Sequence, residues 1–82
     1  MKTVQVTLLF DAGMSHEVFE KFDEEVSEQE DGSLLVTTIL PDNELLYSYV
    51  LFCRERVEVL SPPYVRDNVR KRVRKMLEIY KT

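Results

Sequence analysis

The dipeptide Asp31-Gly32 stands between two runs of opposite character. Before it, Glu24-Glu25-Val26-Ser27-Glu28-Gln29-Glu30 is charged and has little to bury; after it, Ser33 to Leu40 (SLLVTTIL) is apolar and β-branched. Asp-Gly is favoured in two-residue type I′ turns, whose twist matches that of paired strands. These runs therefore predict a hairpin. Its first strand is a charged edge, which resists unwanted pairing, and its second suits a pleated, half-buried surface. The chain has 82 residues, enough for one domain. The hairpin must therefore pair with whatever the two short flanks supply.

The first flank supplies a strand and a helix, and the second a strand and two helices. Val4, Val6, Leu8 and Phe10 alternate with Gln5, Thr7 and Leu9, the period of a strand with one apolar face. Asp11-Ala12-Gly13 breaks it, and Met14, Val18, Phe19 and Phe22 recur at helical spacing over about residues 13–22. Beyond the hairpin, Pro41-Asp42 ends the strand, Asp42 is a good N-cap, and a helix is expected over Asn43 to Phe52. Its apolar residues cover more than one stripe, so it should be buried on more than one side, or its second side should meet another element. Arg56 to Leu60 alternates as a last strand. Ser61-Pro62-Pro63 then opens a helix, with Ser61 as its expected cap. Its stripe of Val65, Val69, Val73, Met76, Leu77 and Tyr80 holds to the end of the chain.

The order β-α-β-β-α-β is the split β-α-β signature of the ferredoxin-like fold. The fold class is α+β: a four-stranded antiparallel sheet with an added long C-terminal helix. Right-handed crossovers put the first two helices on one face, with the first and third strands central. Leu9, Leu35, Thr37 and Ile39 then lie on the open face, Leu9 near Leu35 and Gln5 near Ile39. Such an apolar spot needs a cover, either the C-terminal helix or a second chain. These four residues are the candidate interface.

The formal charge of −4 hides two blocks. Residues 11–31 hold Asp11, Glu17, Glu20, Asp23, Glu24, Glu25, Glu28, Glu30 and Asp31 against Lys21 alone. Residues 66–81 hold Arg66, Arg70, Lys71, Arg72, Arg74, Lys75 and Lys81 against Asp67 and Glu78. Arg66, Arg70 and Arg74 follow i, i+4, i+8 and form a line open to a nucleotide-like or single-stranded nucleic-acid effector. The competing reading is a solvated face that meets the acidic segment within the fold or in a neighbour. A free-standing duplex binder would carry net positive charge.

Enzymatic activity is not expected. His16 is the only histidine, and one histidine alone builds neither a triad nor a metal site. Cys53, the only cysteine, reads as a small buried hydrophobe and cannot form an internal disulfide, which fits a cytoplasmic setting. No apolar run reaches the roughly 18 residues of a transmembrane helix. No cofactor or metal is expected. The outward positions of the central strands carry none of the aromatics on which an RNA-recognition module stacks bases.

From Asp31-Gly32 through Val36 to Leu40, Glu44 to Phe52, Val57 to Pro62 and Val65-Arg66, the chain resembles the WCX domain. This is the C-terminal extension of WYL-domain bacterial transcriptional regulators of the DeoR/YafY-like type; VQVTLLF also fits its first strand. The family's Gly after the second helix is replaced by Cys53, so the helix must end differently or under strain. The resemblance implies that the 82 residues are a single domain from a longer regulator. The partners it implies are the WYL and helix-turn-helix domains of the same chain and a second copy in a homodimer. DNA would be touched only by the helix-turn-helix domain, which these residues lack. The alternative is an ACT-like domain, which shares the β-α-β-β-α-β order and would bind a small metabolite near Asp11-Ala12-Gly13.

Overall fold

β1 (Thr3–Phe10) runs through the middle of the sheet, between β3 (Leu34–Pro41) and β4 (Val57–Ser61), in a computed structural model that describes residues 1–81. With β2 (Val26–Glu28) the order is β2-β3-β1-β4, and every pairing is antiparallel. β1 and β3 match residue for residue from Thr3↔Pro41 to Phe10↔Leu34, placing Leu9 opposite Leu35 and Gln5 opposite Ile39. The expected architecture and central register are those observed.

Alternation in these two strands builds the core. Val6, Leu8, Phe10, Leu34 and Val36 are fully buried beneath α1 (Ser15–Phe22) and α2 (Glu44–Cys53). α1 contributes Val18 and Phe22, and α2 contributes Leu46, Tyr47, Val50 and Cys53. Phe22 links the layers: its ring lies 5.9 Å from Phe10 and edge-on to Tyr49 at 6.3 Å, spacings typical of favourable aromatic pairs. Thr38 is the one polar residue in the core among the described residues, and its hydroxyl donates to Glu25 Oε1 at 2.9 Å.

Local endings differ from the sequence expectation, each for a physical reason. The hairpin loop is three residues, not two. Gly32 N–H donates to Gln29 O, Gln29 N–H donates to Ser33 O, and only Gly32 has positive φ. This is the arrangement of a type I turn followed by a left-handed glycine. Asp31 stays on the ordinary side and instead accepts from Ser33 N and Oγ, which holds its carboxyl below the usual range. β2 is shortened because residues 23–25 form a 3-10 turn, from which Glu25 reaches Thr38.

The cap of α2 is Asn43, whose Oδ1 accepts from Leu45 N at 2.9 Å. Asp42 is still held in the sheet by its N–H to Lys2 O, and its carboxylate takes the Tyr64 hydroxyl at 2.8 Å. Ser61 likewise remains in β4, so Pro62 caps α3 (Pro63–Ile79) with its carbonyl, which accepts from Val65 and Arg66.

Both helices of the layer end on a left-handed residue, Asp23 (φ 43°) after α1 and Arg54 (φ 60°) after α2. Cys53 keeps a helical φ of −73° and so stays packed in the core; the residue that would profit from being glycine is the next one. Such backbone costs about 1–3 kcal/mol in a residue with a Cβ. Arg54→Gly should therefore raise unfolding stability by about 1 kcal/mol after the entropic cost of glycine. Arg54→Ala should stay within about 0.5 kcal/mol of the parent. Urea denaturation of the two variants checks both values.

Candidate functional site

The four candidate interface residues share the face of the sheet away from the helices. Leu9 and Leu35 sit side by side and are half-buried by their neighbours, while Thr37 and Ile39 are exposed further along β3. Thr7 faces Thr37 and gives the spot a polar border. Leu60 belongs with them: it is exposed on β4 and joins Leu9 and Leu35 around one shallow depression. The alternation of β4, with Val57 and Val59 inward, already pointed Leu60 outward. A register shift beside Thr7/Leu8 leaves it outside the paired residues of β4.

α3 does not cover this face. It packs against β4 and α2 on the helix side, where Val65 enters the core. Besides the Tyr64–Asp42 bond, side chains of Arg66, Asn68 and Arg72 hold it there. Arg66 Nη1 donates to Glu58 Oε2 at 2.7 Å and to Val59 O at 2.8 Å. Asn68 Nδ2 donates to the Tyr47 hydroxyl at 3.0 Å. Arg72 forks onto Glu44, with Nη1–Oε2 at 2.9 Å, and stacks 4.3 Å from the centre of the Tyr47 ring. The Arg72 bond holds the Glu44 carboxyl below its usual range, so this pair contributes at neutral pH and is lost as pH falls through the lowered pKa.

The arginine line is thus divided. Arg66 is committed to β4, whereas Arg70 and Arg74 are exposed and enter no ion pair among the described residues. Arg66 and Arg70 border a groove of about 370 Å³ between α3 and β4, floored by Val50, Val57, Val59 and Val69. Beyond Val69 the stripe of α3 emerges: Val73, Met76, Leu77 and Tyr80 are all exposed.

The loop after β1 is closed by its own bonds. Asp11 N–H donates to Arg56 O, Asp11 Oδ1 accepts from Gly13 N–H, and Arg56 Nε lies 3.7 Å from Asp11 Oδ2. A Cβ on Gly13 would come within 3.1 Å of the Arg56 guanidinium and the Asp11 carboxylate, side-chain ends that would have to shift by a few tenths of an ångström. His16 is exposed, 3.2 Å from Glu20. Cys53 is buried, and burial pushes its thiol pKa up. No cluster of three His, Cys, Asp or Glu side chains is placed to hold a metal ion among the described residues. No described helix is long and apolar enough to cross a membrane.

Fold and surface together define a ferredoxin-like α+β domain whose distinguishing features are uncovered faces rather than an enclosed pocket. Within that class the chain belongs to the WCX domain family, whose sequence pattern matches residues 2–77. It is thereby a regulatory module of the kind that forms the C-terminal extension of WYL-type regulators. No curated protein matches the chain at a significant level.

The divided roles of the arginines have a direct consequence. Arg66→Ala should lower stability by about 1 kcal/mol, the size of a charge-assisted tie discounted for its solvent exposure. Arg70→Ala and Arg74→Ala should each stay within about 0.5 kcal/mol. Parallel urea titrations of the three variants separate these outcomes.

Proposed function

We propose that this chain is the C-terminal regulatory module of a WYL-type helix-turn-helix transcriptional regulator. In this reading it supports a homodimer and relays the state of the ligand-sensing WYL domain. It acts by binding and not by catalysis, in the cytoplasm, and DNA is touched only by the helix-turn-helix domain of the longer chain. The observation that carries the reading is the bare sheet face: α3 lies on the other side, so Leu9, Leu35, Leu60 and Ile39 have no cover within the domain.

The size of that spot says what suits it. A stable complex between free proteins buries about 800 Å² on each partner. One cluster of four aliphatic side chains, two of them already half-buried, is a small anchor by that measure. It is sufficient for a neighbour tethered in the same chain, where the effective concentration reaches about millimolar. The sheet face is accordingly assigned to the WYL domain. Arg70 and Arg74, on the helix side, remain available to an anionic, nucleotide-like or single-stranded nucleic-acid effector.

Leu35→Glu places a charge in the middle of the spot without touching the core. In the full regulator this variant should lose at least tenfold in effector response while its effector-free DNA affinity is unchanged. A variant that responds like the parent would refute the assignment. The comparison is made by DNA-binding titrations with and without effector.

A further inference from the structure

The groove between α3 and β4 is open because every apolar side chain along it is short. Val50 of α2, Val57 and Val59 of β4 and Val69 of α3 floor a space of about 370 Å³, toward the small end of ligand sites, which run from about 300 to 1,000 Å³. Val50 and Val59 are buried, whereas Val57 and Val69 stay half-exposed. Valine is short and stiff at χ1, so the four leave an apolar trough between helix and strand.

The rim of the groove is charged, and its charges are not equivalent. Glu58 and Arg66 satisfy each other at 2.7 Å, and the same guanidinium nitrogen also donates to Val59 O. Arg70, one turn further along α3, borders the groove as well and enters no ion pair among the described residues. Asp67 and Arg74 lie about a turn from Arg70 and likewise enter none. Glu58 and Asp67 against Arg66, Arg70 and Arg74 leave this end of the groove positive by one charge.

Such a lining selects by exclusion. A polyphosphate or a nucleic-acid strand would meet the Glu58 carboxylate and a single uncommitted guanidinium, and the lining has no aromatic ring on which a base could stack. A peptide added as a strand would need the free edge of β4, where the Val59 carbonyl already accepts from Arg66. An apolar chain ending in one negative charge meets neither obstacle.

We infer that this groove binds a small amphipathic carboxylate, its aliphatic chain on the valine floor and its head on Arg70. The head makes a charge-assisted contact that the planar guanidinium can fork. The chain touches α2, β4 and α3 at once, so occupancy fastens α3 to the layer beyond the Arg66 tie. The inference narrows the anionic effector of the proposed function to one chemical class, and it rests on that reading for its regulatory sense alone.

The test is a methyl nuclear magnetic resonance titration of the 82-residue chain with butyrate, hexanoate and octanoate below their micelle-forming concentrations. Octanoate should shift the methyls of Val57, Val59 and Val69 saturably, with a Kd of about 1 mM. Each added methylene should tighten binding about two- to fourfold. Octylammonium, of equal length and opposite charge, should bind about tenfold more weakly, and Arg70→Gln should weaken octanoate about fivefold. Lys75→Ala, a cation that does not border the groove, should bind octanoate like the parent. Val69→Phe should fill the trough and abolish the shifts with the circular dichroism of the parent; if it fails to fold, the ligand series and Arg70→Gln still decide. Equal binding of octanoate and octylammonium, parent-like binding by Arg70→Gln, or shifts confined to Leu9, Leu35 or Leu45 would each overturn the inference. So would adenosine monophosphate binding the groove more tightly than octanoate. Any of these failures leaves the sheet-face assignment standing, because that assignment is read from Leu35→Glu in the full regulator.

Discussion

The register between β1 and β3 is the constraint on which the rest depends. Eight consecutive residue pairs lock the two central strands, and a slip of one residue would exchange their core and solvent faces. With the register as it is, Val6, Leu8, Phe10, Leu34 and Val36 form the floor on which α1 and α2 sit. The same register brings Leu9 beside Leu35 on the opposite face. One pairing thus makes both the core that holds the domain together and the apolar spot that needs a partner.

The third helix decides which surfaces stay free. A 17-residue helix spans about 26 Å, comparable with the breadth of the sheet, and could in principle have lain across the open face. It is kept on the helix side by a buried Val65 and by the ties of Arg66, Asn68 and Arg72 to β4 and α2. The elongation follows: the radius of gyration is 13.2 Å, against about 11.7 Å for a compact chain of this size. The far half of α3 carries its apolar stripe out beyond the core.

Much of this was legible in the sequence because period carries the signal. The strand faces, the strand order, the pairing of Leu9 with Leu35 and the burial of Cys53 all follow from alternation and topology. What was not legible turned on single side chains choosing between partners. Asp42 could cap α2 or stay in the sheet, and its bonds to Lys2 and Tyr64, distant in sequence, decided the matter. Ser61 lost its capping role to the last rung of β4. The side of the sheet taken by α3 goes with Val65 entering the core and with Asn68 and Arg72 reaching Tyr47 and Glu44 of α2, contacts that the i, i+4, i+8 arginine pattern does not announce. The excess of apolar residues in α2 led to the expectation of a second buried side, and the folded chain instead leaves Leu45 and Phe52 exposed.

The central claim is that all three helices share one side of the sheet and leave the other bare. Methyl–methyl nuclear Overhauser contacts in the 82-residue chain test it directly. Contacts from Val69 to Val50 and Val57, with none from Val73 or Leu77 to Leu9, Leu35 or Ile39, are the result expected. Contacts from the far half of α3 to Leu35 or Ile39 would show the helix crossing the open face and would contradict the account.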